Sequence, residues 1–285
     1  MLNAIATAGP ASLCAPAGQR ATFRPMVDPA AKARSHEGTA GAISAASHMP
    51  WLERACVIVP AYQAEKTLPA VIADLRRALP GLADEILVVD DGSTDGTAQV
   101  AAAAGCQLVS HGRNRGKGAA LVTGLATARA RGREVALTVD ADGQHPADEA
   151  RSVLLASSDP EAFVLGIREL TTAGAPRKNQ MSNGISNFFI SRFAGRPLRD
   201  TQCGLRRYPI ATTLALAPRG EGYDFEAEVL LRAIWAGVAI VEEPIRVLYP
   251  EDRVTHFHVV RDPWRIVRTV VVALRDRSFG RTRSR

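Results

Sequence analysis

An α/β fold with a mostly parallel, doubly wound sheet and helices on both faces is predicted by three observations. Apolar runs of strand length alternate with stretches of helical periodicity, in the order strand, helix, strand, helix, strand, helix, strand. Gly, Pro or polar residues bound each run. Polar groups suited to a ligand stand at the ends of three of them: Pro60 and Tyr62, Asp90 and Asp91, Asp140 and Asp142. In open α/β sheets ligands lie outside the carboxyl ends of the strands, so the third observation is also a functional one.

The first 50 residues are rich in Ala, Gly, Ser and Pro without lasting periodicity, and they are expected to be a disordered extension (1–50). No basic n-region opens the chain, and Gly9, Pro10 and Pro16 interrupt an apolar core, which argues against a signal peptide; translation from Met49 is an alternative start. Ala55 to Val59 reads as a buried strand ended by Pro60. Leu68, Val71, Ile72, Leu75 and Leu79 recur at helical spacing, which predicts a helix over about 66–79 stopped by Pro80 and Gly81. Glu85 to Val89 is the next strand, and Ser93, Thr94 or Asp95 is placed to cap a helix running through Ala104. A short strand at 107–109 and the basic loop H-G-R-N-R-G-K-G lead to a helix over about 119–130. The loop sets Arg113, Arg115 and Lys117 near an expected anion site, but its spacing is one residue short of a P-loop and lacks the Ser/Thr. No G-x-G-x-x-G follows the first strand, which disfavours a dinucleotide-binding dehydrogenase.

The stretch E-V-A-L-T-V-D-A-D-G-Q-H, from Glu134 to His145, continues as a buried strand and ends in two carboxylates. Asp140 and Asp142 point the same way in extended geometry, and Gly143 lets the chain turn so that Gln144 joins them. Three oxygen donors of this kind suit Mg²⁺ or Mn²⁺ with open positions for phosphates. An Asp/Gly-rich turn without a metal has the same composition, so both readings stand on this stretch alone.

Composition sets further bounds. With 285 residues, 46% hydrophobic and 22% charged, the chain can bury a large core as a globular protein. Cys14, Cys56, Cys106 and Cys203 form no CxxC and no zinc spacing, which points to a reducing compartment. From Arg261 to Arg285 eight Arg stand against two Asp, a surplus equal to the whole net charge of +6. Its partner is an anionic membrane surface or a nucleic acid, and the scarcity of aromatics beside the arginines disfavours nucleic acid. No apolar run reaches the ~18–20 residues of a spanning helix.

The segments V-I-V-P-A-Y-Q-A-E-K-T-L, I-L-V-V-D-D-G-S-T-D-G-T, N-R-G-K-G-A-A-L and V-D-A-D-G-Q-H-P resemble the ordered motifs of family 2 glycosyltransferases with the GT-A fold. Within that family they look most like the dolichol-phosphate mannose synthase and polyprenyl-phosphate glycosyltransferase branch. The resemblance spans about 54–261, and it implies a glycosyltransferase domain over 51–260. It further implies an inverting, metal-dependent transfer from a GDP- or UDP-linked sugar to a polyprenyl phosphate, with a glycan or glycolipid hydroxyl as the alternative acceptor. A non-catalytic nucleotide-sugar or membrane-surface binder is the reading from another class, and the intact D-x-D and Arg positions speak against it.

By this resemblance Pro60, Tyr62, Asp90 and Asp91 hold the donor's base and ribose, and Lys117 joins the donor site. Asp140, Ala141 and Asp142 form the D-x-D on the cation and diphosphate, with Gln144 as third ligand and Mg²⁺ or Mn²⁺ as the ion. Arg168, in G-I-R, approaches the donor; Arg253 contacts the diphosphate, with His256 and His258 where the family has Ser and Lys. Gln63 and Ala64 replace the family's Asn and Glu, so a donor contact from Glu is lost or moves to Glu65.

Arg177, Lys178 and Ser182 match the acceptor-phosphate residues, and Gln202 lies in D-T-Q-C-G-L, a segment resembling the family's D-x-x-S/C-G-F. Asp200 within it is a general base or a loop-orienting residue, and a phosphate acceptor needs no strong base. Ile185, Phe188, Phe189 and Phe193 form an apolar face, read as the inner face of a core helix. Glu226, opening a helix over about 223–236, acts in the cleft or complements the helix N-terminus. Strands are expected at 238–242 and 245–248 around Pro244. Over 261–275, Arg261, Arg265, Arg268 and Arg275 line one stripe and Trp264, Val267, Val271 and Leu274 another, the pattern of an interfacial helix or of a terminal helix packed on the domain. The expected location is cytoplasmic and peripheral on the inner face of the membrane, with a second copy or a membrane-protein partner left open.

Overall fold

The computed structural model describes residues 49–170, 175, 177–222, 224–248, 272 and 274, with the side chains of 177–179 excepted. The N-terminal extension, Tyr223, Arg253, His256, His258 and most of the tail therefore lie outside the described residues. Strands β1 (Ala55–Ala61), β2 (Ile86–Asp90), β3 (Gln107–Ser110), β4 (Val135–Thr138), β5 (Phe163–Arg168), β6 (Arg206–Pro209) and β7 (Ile240–Ile245) form one sheet in the order β3-β2-β1-β4-β6-β5-β7. All pairs are parallel except β6 with its neighbours β4 and β5.

Strand alternation sorts the apolar side chains onto two faces. Val57, Val59, Ile86, Val88, Val135 and Leu137 pack with α1 (Leu68–Ala78), α2 (Thr97–Ala103) and α4 (Ala147–Leu155). Cys56, Ile58, Leu87, Val89 and Ala136 face α3 (Lys117–Ala130), α6 (Ile210–Ala215) and α7 (Asp224–Trp235). Both faces are thus covered, as a parallel sheet requires.

Several expectations change. In place of two strands at 238–242 and 245–248 there is the single strand β7 (Ile240–Ile245), with Pro244 inside it in register with Ile167; β7 is an edge strand, where a residue without an N–H is tolerated. Helix α2 starts at Gly96 with no side-chain cap at that position. Asp95 accepts the Thr97 N–H at 3.1 Å from one residue further out, while Ser93 and Thr94 bond to Gln63. Neither β6, α4 nor α6 is expected from the sequence.

Arg206 and Arg207 are fully buried in β6, in the middle of the sheet. The Arg207 guanidinium donates to the carbonyls of Leu154 at 2.9 Å and Ser157 at 2.6 Å, and stacks 4.9 Å from the Trp51 ring centroid. Burial lowers its pKa to about 10, which still leaves it charged at neutral pH.

Candidate active site

Topology assembles one sheet edge. In parallel register Ala61 faces Asp90 and Ile58 faces Thr138, so Tyr62, Asp90 and Asp140 leave β1, β2 and β4 on the same side. Strand β6 runs against both β4 and β5, so Arg168 ends β5 at this edge and the 200–205 segment enters β6 from it. The antiparallel strand is what carries Asp200, Gln202 and Gly204 to the carboxylates of β4.

The first two loops are bound to each other. Gln63, at φ 53°, donates its N–H to Ser93 Oγ at 3.0 Å, and its Oε1 accepts the Thr94 N–H at 2.7 Å. Glu65 accepts the Gly96 N–H at 3.1 Å, so this carboxylate is engaged in loop structure. Asp90 is buried and accepts the Ser93 N–H at 3.0 Å. Both oxygens of Asp91 are spent on the basic loop: Oδ1 meets the Arg115 N–H at 3.0 Å and His111 Nδ1 at 2.7 Å, and Oδ2 accepts the Gly116 N–H at 2.7 Å. Asp91 thereby fixes the entry to α3, whereas Arg113 and Arg115 are exposed. Pro60 is buried in β1 and Tyr62 follows it half-buried.

Lys117, the first residue of α3, reaches the centre of the edge. Its Nζ lies 2.7 Å from Asp140 Oδ1 and 2.7 Å from Glu226 Oε1. Glu226, almost fully buried at the start of α7, therefore acts inside the cleft. Gly204 faces the same ions: a Cβ there would stand 2.3 Å from Asp140 Oδ2 and 2.6 Å from Lys117 Nζ. Only a residue without a side chain allows that approach. The neighbouring Arg206 clamps the segment by donating to the carbonyls of Cys203, Thr201 and Glu226 at 2.7, 2.9 and 2.7 Å.

Burial raises the Asp140 carboxyl, but Lys117, His145 and Arg168 outweigh it and hold the group below its usual range. Asp142 goes the other way. Burial and the adjacent Asp140 charge push it up to about 6. Two carboxylates that repel each other while partly shielded from water are a donor set that a divalent cation relieves, so the residues present fit Mg²⁺ or Mn²⁺. Among the described residues no three His, Cys, Asp or Glu side chains converge on one point. Two carboxylates plus substrate phosphates is the usual Mg²⁺ arrangement. Gln144 donates its N–H to Asp142 Oδ1 at 3.0 Å and accepts the Leu248 N–H at 2.8 Å; Ala141 is buried and its carbonyl accepts the Thr67 hydroxyl at 2.6 Å. His145 was given no role by the sequence. Burial lowers its pKa to about 4, so it is neutral, and its Nδ1 is buried with no partner among the described residues.

Arg168 and Asp200 form a two-point pair, Nε to Oδ2 at 2.7 Å and a terminal nitrogen to Oδ1 at 3.1 Å. Asp200 also accepts the backbone N–H of Arg168 at 3.2 Å and of Gln202 at 3.1 Å. Burial acts to raise its pKa, but the Arg168 charge and these hydrogen bonds hold it low. With four bonds and a lowered pKa, Asp200 orients Arg168 and is unsuited to take up a proton. Gln202 Nε2 and Ser182 Oγ are buried without a partner among the described residues, as groups awaiting a ligand would be. Arg177 and Lys178 open helix α5 (Arg177–Ala194), their side chains outside the described residues, as is Arg253.

Comparison with known proteins agrees with this geometry. Residues 56–211, over half of the chain, match the description "Glycosyl transferase family 2". The polyprenol monophosphomannose synthase of Mycolicibacterium smegmatis is 31% identical over 205 residues, covering 68% of this chain and 77% of that one. The UDP-N-acetylglucosamine–dolichyl-phosphate N-acetylglucosaminyltransferase of Methanococcus voltae is 29% identical over 218 residues, covering 68% and 86%. Glucosyl-3-phosphoglycerate synthase of Mycobacterium tuberculosis, solved with Mn²⁺, UDP and phosphoglyceric acid, superposes with a TM-score of 0.63 at 21% identity, covering 84% and 81%, which shows the shared GT-A fold. This chain belongs to glycosyl transferase family 2 and is a glycosyltransferase.

Proposed function

We propose that the chain transfers a sugar from a nucleoside-diphosphate sugar to a polyprenyl phosphate, with inversion at the anomeric carbon and with Mg²⁺ or Mn²⁺ at Asp140, Asp142 and Gln144. The observation that carries the acceptor assignment is the engagement of Asp200. Its carboxylate is committed to Arg168, and Glu226 is committed to Lys117. A hydroxyl acceptor needs a base to take its proton, whereas a phosphate oxygen arrives anionic. The names of the sequence relatives, among them an undecaprenyl-phosphate mannosyltransferase of Micrococcus luteus 30% identical over 203 residues, support the same acceptor class.

In this reading Pro60, Tyr62 and Asp90 receive the nucleoside, in loops held in shape before the donor arrives. The bound cation supplies charge neutralisation for the diphosphate. Arg168, fixed by Asp200, faces the leaving group, and Arg253 belongs to the same set. The acceptor phosphate oxygen forms its bond to the anomeric carbon while the bond to the diphosphate breaks, the electron pair leaving with the diphosphate. Ser182, Gln202, Arg177 and Lys178 receive the acceptor. Residues 51–260 are the catalytic domain, working peripherally at the cytoplasmic face of a membrane. No helix among the described residues is long and apolar enough to cross one.

The test is a choice of acceptor. Incubation of the chain with radiolabelled UDP- and GDP-sugars, Mn²⁺ and either undecaprenyl phosphate or undecaprenol should yield labelled lipid with the phosphate alone. Equal labelling of the alcohol would overturn the assignment.

A further inference from the structure

Two helix starts are packed backbone to backbone around Lys117. A Cβ at Gly118 would stand 2.3 Å from the Gly220 carbonyl oxygen and 2.7 Å from Phe225 Cβ. The Ala119 N–H, one residue further along α3, donates to the Glu221 carbonyl at 3.2 Å. The chain leading into α7 is held from behind as well. Glu228 Oε2 accepts the N–H groups of Arg219 at 2.8 Å and of Gly220 at 2.7 Å, and Asp224 Oδ1 accepts that of Gly222 at 3.0 Å. These contacts fix Glu226, in the first turn of α7, within reach of Lys117 in the first turn of α3.

One ammonium thus serves two carboxylates, Asp140 Oδ1 at 2.7 Å and Glu226 Oε1 at 2.7 Å. The partners differ in what surrounds them. The Glu226 side chain is buried and the Asp140 side chain is a quarter exposed. A buried carboxylate that loses its counter-charge is costly, so the ammonium is held more firmly on the Glu226 side. A divalent cation at Asp140 claims the same carboxylate, and two cations that close repel each other. Lysine carries its charge on a flexible stem, so the ammonium can give up Asp140 and keep Glu226. The diphosphate of a nucleotide brings the negative charge that lets both cations stay.

We infer that Lys117 competes with a divalent cation for Asp140 and so makes cation binding depend on the nucleotide, with Glu226 as the positioning residue that retains the ammonium beside the site. A cation alone meets a carboxylate already paired, whereas a cation with a diphosphate does not have to displace a charge into an apolar surrounding. By linkage the nucleotide and the cation then tighten each other. The inference rests on the cation reading of Asp140 and Asp142.

The experiment is a titration of the full chain with Mn²⁺, alone and with saturating UDP or GDP, in which free Mn²⁺ is read by electron paramagnetic resonance. Lys117→Met binds Mn²⁺ alone about tenfold or more tightly than wild type, and the factor by which the nucleotide tightens Mn²⁺ falls by about tenfold. Glu226→Gln leaves the ammonium to Asp140 and weakens Mn²⁺ binding by about threefold or more, a loss that adding Lys117→Met reverses. A role of Glu226 in the fold alone gives no such reversal. Should Glu226→Gln misfold, Lys117→Met decides by itself; should Lys117→Met misfold, Lys117→Gln takes its place. A folded Lys117 variant that binds Mn²⁺ alone no more tightly than wild type, or that keeps the full nucleotide factor, overturns the inference and leaves the cation site standing. Mn²⁺ binding by no variant, with or without nucleotide, overturns the cation reading itself and the inference with it.

Discussion

The loops after β1 and β2 and the helix α5 flank the same sheet edge and treat their polar groups in opposite ways. In the loops, Gln63, Glu65, Asp90, Asp91 and Asp95 all accept backbone N–H groups of neighbouring turns. That half of the site has its shape without a ligand. Along α5, Ser182 Oγ and Asn183 Oδ1 are buried without a partner among the described residues, and the apolar side chains point outward. This is the half to which the proposed function assigns the acceptor. Substitutions in the first region should damage turnover and often stability, whereas substitutions on the outer face of α5 should leave the fold alone.

The largest effect is expected at the carboxylate pair. Asp140→Asn removes the proposed cation ligand and one of the carboxylates paired with Lys117, and turnover should fall by about 10²–10³-fold in a label-transfer assay. Next is the buried ion pair: Asp200→Asn should lower kcat by about 10²-fold and stability by about 3 kcal/mol in urea unfolding. Because Asp200 acts through Arg168, adding Arg168→Lys should cost little more. Full additivity of the two effects would indicate independent roles.

Gly204→Ala places a methyl group against Asp140 and Lys117. The displacement should lower kcat/KM by about tenfold or more, measurable in the same assay. The pH dependence follows from Asp142, raised from 3.8 to about 6. Folding stability from this group is greatest at low pH and is lost as the pH rises from 3.8 through 6, because the folded state disfavours the carboxylate. The metal-dependent nucleotide binding proposed above needs that carboxylate and should run the other way. Affinity should fall by up to about tenfold per pH unit below 6 and level off above it, by calorimetry. The smallest effect tests the other region: Phe188→Ser on the exposed face should change unfolding free energy by about 0.5 kcal/mol or less.

The gathering of Tyr62, Asp90 and Asp140 at one sheet edge was legible because its signals are local. Strand alternation, the turn residues after Val89 and the two carboxylates after Val139 each sit within a few residues of the groups they organise. Strand β6 was not legible. Two successive arginines carry no strand signal, and carbonyls from distant segments, at Glu226 and at Leu154 and Ser157, make them tolerable inside a sheet. Helix α5 was legible as amphipathic, but periodicity does not say which face turns inward. Its bonds to Thr201 and Arg199 decide that, and they are tertiary. The role of Asp200 was equally hidden, since a carboxylate that takes up a proton and one that holds an arginine look alike in sequence.

The most direct test of the central claim, that the edge built on Asp140 and Asp142 binds a nucleoside diphosphate through a divalent cation, is a thermal-shift titration with UDP and GDP, with and without Mn²⁺, on wild type and Asp142→Asn. One nucleotide should raise the melting temperature of wild type only when Mn²⁺ is present, and should leave Asp142→Asn unmoved. Stabilisation that is independent of the metal, or that survives in Asp142→Asn, would contradict it.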